Sequence, residues 1–155
     1  MYIEANVREL VEMMIRHVVG KLADLNLGHH GVSTDLTIER VAVSWDELHK
    51  RILRKTTDVG RDIGIQLETG HLHPGDILHC EGNHIIIVEV KEEAVLVVSV
   101  STMRTMGLAA HAIGNLHAPI EITNQTVITP YNSVLEDQLQ KLGFATQVEN
   151  RPFAP

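Results

Sequence analysis

The sequence predicts an α+β fold in two parts, a small β-rich domain over residues 1–91 and a βαββαβ domain over residues 92–155. Three observations predict it. Short apolar runs bounded by Gly, Pro and Asn fill the first part. In the second part, strand-like runs alternate with two helical periodicities, each opened by a capping residue and closed near a glycine. Between them, Lys91-Glu92-Glu93 is a charged break where the rhythm changes.

The elements follow in order. Val7, Leu10, Val11, Met14, Val18, Leu22 and Leu25 recur at helical spacing, yet Met14 to Gly20 reads equally as a short strand ended by glycine. Leu27 to Asp35 is a polar loop carrying His29 and His30. Leu36 to Val43 reads as a strand, and Ser44-Trp45-Asp46-Glu47 has the capping-box spacing that opens a helical turn. Arg61 to Leu67 is the next strand, and His73-Pro74-Gly75-Asp76 is a turn by composition. Ile77 to Cys80 and His84 to Val90 are strands around a hairpin-like break.

The second part begins with the Val-rich strand Ala94 to Val100. Ser101-Thr102 caps a helix through Met103, Met106, Ala109, Ala110 and Ile113, with Gly114 and Asn115 as its left-handed stop. Ala118 to Thr123 and Thr126 to Thr129 follow as strands. Asn132 or Ser133 caps a second helix ending at Gly143, and Phe144 to Val148 is the last strand. The resulting order is that of the ferredoxin-like arrangement.

Composition excludes several functions. A net charge of -7 and a pI near 5.8 argue against a nucleic-acid partner. No apolar run approaches the roughly 20 residues that span a bilayer, so no membrane role is expected. The single Cys80 cannot form an internal disulfide and reads as a small buried hydrophobe, in keeping with a cytoplasmic protein. No nucleophile triad, phosphate loop or carboxylate pair stands out, so no enzyme is expected.

Ten histidines are many for this length, and imidazole is the commonest ligand for borderline metals. His117 sits three residues past Gly114 and just before a strand, where two rigid elements pin it. A histidine so placed can also merely fill space beside the turn. His111 lies six residues earlier, on the helix, and is a second candidate or a solvated residue. His71 and His73 have short chelate spacing, with His79, Cys80 and His84 nearby, but strand alternation points His79 and Cys80 to opposite faces.

At these residues the chain resembles the UreE family of urease accessory proteins. The likeness runs through Trp45-Asp46-Glu47-Leu48-His49-Lys50-Arg51-Ile52-Leu53-Arg54-Lys55, Gly60-Arg61-Asp62-Ile63-Gly64-Ile65 and Pro74-Gly75-Asp76-Ile77-Leu78. In the second part it covers His111-Ala112-Ile113-Gly114-Asn115-Leu116-His117, Val134-Leu135-Glu136-Asp137 and Pro152-Phe153. The resemblance implies a homodimeric nickel(II) chaperone that delivers the metal to urease, with a partner-binding first domain and a metal-binding second one. Its partners would be the maturation GTPase and the urease apoprotein complex.

The family's metal-binding histidine carries over to His117, which both chains of the dimer would contribute to one ion. Copper(II) or zinc(II) would substitute in vitro. Leu116 stands where the family usually has arginine, and Tyr131-Asn132-Ser133 replaces the further histidines of some members. With no histidine-rich tail before Pro155, bulk nickel storage is not expected, and residues 1–13 read as an addition ahead of the family's usual start. The competing reading is an interaction module, a β-rich domain joined to a ferredoxin-like dimerisation domain, with incidental histidines.

Overall fold

Eleven strands and two α-helices form among residues 11–25 and 36–155, the residues that the structure, a computed structural model, describes. The architecture is mixed and sheet-rich, and the chain divides into two compact units, Met1–Val90 and Lys91–Pro155.

In the first unit the strands are β1 (Met13–Ile15), β2 (Gly20–Lys21), β3 (Thr37–Val43), β4 (Ile52–Thr56), β5 (Asp62–Gln66), β6 (Asp76–Glu81) and β7 (His84–Val90). They form a three-stranded sheet in the order β1-β5-β4 and a four-stranded sheet in the order β2-β6-β7-β3. Two pairings, β1 with β5 and β3 with β7, are parallel. Ile15, Ile63 and Ile65 from the first sheet share a core with Val41, Val43, Ile86 and Val88 from the second. Ile77, Ile85 and Ile87 form a smaller cluster with Leu22, Leu25, Leu36 and Ile38. Glu81 and His84 flank a two-residue turn whose first residue, Gly82, has φ 61°, the conformation such a turn demands of glycine.

Three expectations for this unit are corrected. Residues 13–15 and 20–21 are strands, so the helical periodicity of the N-terminal segment is not realised there; Val7, Leu10 and the His29-His30 loop lie outside the described residues. Strand β4 is not expected from the sequence, because its faces alternate but apolar Ile52 lies on the exposed one, at 67%, and Lys55 on the half-buried one. Cys80 is exposed rather than buried. A register irregularity between Ile77 and His79 admits Leu78 to the core and sets Cys80 opposite Ile85.

A buried carboxylate also braces this unit. Glu39, 1% exposed, accepts from Thr57 Oγ1 at 2.5 Å and Arg61 Nε at 3.1 Å. His84 Nε2 stands 2.8 Å from the other carboxylate oxygen, off the direction of a hydrogen bond. The charge is thus paired rather than isolated, as burial requires.

The second unit runs β8 (Glu92–Ser99), α1 (Met103–Gly114), β9 (Glu121–Ile122), β10 (Thr126–Pro130), α2 (Ser133–Lys141) and β11 (Thr146–Pro152). Its sheet is wholly antiparallel, in the order β11-β8-β10-β9. Leu96, Val98 and Val127 of the sheet pack with Ala109 and Ile113 of α1 and with Leu135 and Leu139 of α2. The strand expected over Ala118 to Thr123 is only two residues long, since Ala118-Pro119 follows the helix exit and proline withholds an N–H from the ladder.

Candidate metal centre

Helix α1 begins with a full capping box. Thr105 N–H donates to Thr102 Oγ1 at 3.1 Å, and Thr102 N–H donates to Thr105 Oγ1 at 3.0 Å. Ala109 and Ile113, both fully buried, hold one face of the helix against the sheet. That anchoring fixes where the helix ends, and hence where His117 stands.

The exit departs from the expected one. Gly114 remains in the helix and Asn115 keeps helical dihedrals, φ -62° and ψ -24°. The chain then tightens: Leu116 N–H donates to Ile113 O at 3.1 Å and His117 N–H to Gly114 O at 2.9 Å. The left-handed step falls on His117 itself, at φ 54°, the one non-glycine with positive φ among the described residues. Ala118, preceding Pro119, is biased toward extended backbone, so the reversal has to be completed before it. The His117 imidazole is exposed, its backbone is hydrogen-bonded, and the preceding Leu116 is 43% exposed.

His111 is exposed in the last turn of α1 and lines a groove of about 780 Å³ with Leu108, Asn115, Leu142 and Phe144. His117 is not part of that lining. The phenol of Tyr131 is pushed above its ordinary range, first by its hydrogen bond to Glu136 and then by that group's charge. It therefore stays protonated at neutral pH and offers no phenolate.

In the first unit, His79 pairs loosely with Glu81 at 3.6 Å and His84 with Glu39, so these histidines face separate carboxylates. Another grouping emerges instead: His49, His71 and His73 lie ring beside ring, with centroids 5.2 and 4.5 Å apart. His49 was not singled out by spacing, because it lies far from the other two in sequence. Among the described residues, no three His, Cys, Asp or Glu side chains converge into a group set to hold a metal ion. Nor is any described helix long and apolar enough to cross a membrane.

Comparison with known proteins places this geometry in context. The family pattern described as UreE urease accessory protein, N-terminal domain, matches residues 15–91, and the corresponding C-terminal domain matches residues 93–155. Among similar proteins, the urease accessory protein UreE of Bacillus sp. (strain TB-90) is 37% identical over 142 residues, covering 90% of each chain. That of Staphylococcus carnosus is 36% identical over 140 residues, covering 90% of this chain and 91% of its own. That of Halalkalibacterium halodurans is 43% identical over 118 residues, covering 76% and 79%.

Proposed function

This chain belongs to the UreE family of urease accessory proteins, and from that membership we propose that it binds nickel(II) and delivers it during urease active-site assembly. The observation that carries the assignment is His117, an exposed imidazole on hydrogen-bonded backbone that holds a left-handed φ although it is not glycine. Sparsely populated backbone of this kind clusters at functional sites.

One imidazole holds a divalent ion weakly. A homodimer with a two-fold axis beside His117 brings two copies together, and water completes the coordination. Such an incompletely protein-ligated site releases its ion more readily than a closed structural one, as delivery requires. His111 lies on the groove beside the helix exit and is a secondary ligand at most. Copper(II) or zinc(II) competes for the same imidazoles in vitro, because the ligand type does not favour nickel.

We read the second unit as a ferredoxin-like metal-binding domain. Its βαββαβ order and its antiparallel sheet, with the strands in the order fourth, first, third, second, support this. The first unit takes the role of docking the maturation GTPase and the urease apoprotein in the cytoplasm. Calorimetric titration with nickel(II) tests the assignment. The tightest event saturates at about one ion per two chains and disappears in His117→Ala, which remains folded. An event of one ion per two chains that survives His117→Ala would overturn the shared site and favour a module in which that histidine is incidental.

A further inference from the structure

The three-imidazole row in the first unit is built by its backbone. Leu72 N–H donates to Leu48 O at 2.9 Å, tying the segment after β5 to the end of the helical turn Glu47–His49. Leu72 is buried, 1% exposed, so its neighbours His71 and His73 turn outward beside His49. All three histidines are exposed.

Behind His73 lies Asp76, 1% exposed. Its Oδ2 accepts from His73 N–H at 2.7 Å and stands 3.6 Å from His73 Nδ1. Its Oδ1 is buried with no hydrogen-bond partner. At 3.6 Å the carboxylate does not bond to Nδ1, but a small turn of the ring would bring Nδ1–H onto it and leave Nε2 free to bind a metal. That is how carboxylates orient metal-binding imidazoles.

We propose that His49, His71 and His73 form a second metal site, taking a borderline divalent ion such as copper(II), nickel(II) or zinc(II) through imidazole nitrogens. The rings lie side by side rather than converging, so binding turns them about their side-chain torsions, which their exposure allows. Two ligands come from one short segment and the third from a turn hydrogen-bonded to it, so little backbone entropy is lost on chelation. Asp76 is the positioning residue. The site stands independently of His117.

The test uses the full chain carrying His117→Ala, titrated with copper(II) alone and followed by electron paramagnetic resonance. One copper per chain with a nitrogen-rich signature is expected, unchanged by His17→Ala at another exposed histidine. His73→Ala should weaken it at least tenfold, and replacing all three with alanine should remove it with an unchanged melting temperature. Asp76→Asn keeps an acceptor for His73 N–H but removes the charge, and should weaken copper about tenfold or more without changing the nitrogen signature. The proposal is overturned if the His117→Ala chain holds no such copper, or if the triple variant still holds it. The first result leaves the His117 assignment standing. A nickel event of one ion per two chains that survives His117→Ala fails that assignment alone.

Discussion

The two helices of the second unit end in different ways. Helix α2 stops with Gly143 at φ 91°; Gly143 N–H donates to Gln140 O at 2.9 Å and Phe144 N–H to Leu139 O at 3.0 Å. This Schellman closure lets Phe144 pack into the cluster that holds Leu139. Helix α1 passes over the glycine available to it, keeps Asn115 helical and places the left-handed step on His117. A helix end that only has to stop uses the residue without a Cβ and returns an aromatic to the core. The other keeps a Cβ in a region that disfavours it, by roughly 1 kcal/mol or more, and leaves its side chain in solvent. Stability alone would have chosen glycine at both ends. The difference is the one that a ligand role for His117, as proposed, would call for.

The largest effect that would sharpen this contrast is His117→Gly. Nickel affinity should fall about a hundredfold or more, since a shared site loses both imidazoles, while the fold gains up to about 1 kcal/mol from relief at φ 54°. Calorimetric titration and thermal melting on one preparation read the two opposite signs. A melting temperature below the parent's would mean that His117 is not strained. Next comes Gly143→Ala, where an added Cβ meets nothing within 4 Å, so the cost is backbone alone. Chemical denaturation should show a loss of about 1–2 kcal/mol, with nickel stoichiometry intact. The smallest is Asn132→Ala. Its Oδ1 accepts from Val134 N–H and Leu135 N–H at 2.9 and 3.1 Å, and its removal should cost about 1 kcal/mol. A nickel defect in Asn132→Ala would break the separation between a helix that frames the site and one that presents it.

Local signals were the ones most readable from sequence. The caps at Thr102 and Asn132 and the glycine exit of α2 need only a few neighbouring residues, and these formed where the spacing put them. The exit of α1 departs from its sequence pattern because Gly114 and Asn115 offer a stop that the chain declines in favour of a reversal just before Ala118-Pro119. Cys80 turned outward through a bulge, and a one-residue shift in register is invisible to alternation. His117 was visible as a candidate, but its φ was not. The neighbourhood of His49 with His71 and His73 depends on one hydrogen bond, Leu72 to Leu48, between segments far apart in sequence.

The pairing of β8 with β11 also bears on how the chain is made. Seven residues of β11, Thr146 to Pro152, face seven of β8, Val98 back to Glu92, so the first strand of this unit completes its ladder only with the last. At roughly 5–20 residues per second, translation separates the two by a few seconds. During that interval one edge of β8, carrying fully apolar Val95, Leu96 and Val98, has no partner in its own chain. The ribosome-bound polypeptide thus displays a sticky template until Thr146 emerges, and shielding that edge at the tunnel mouth would govern how much usable protein a cell obtains.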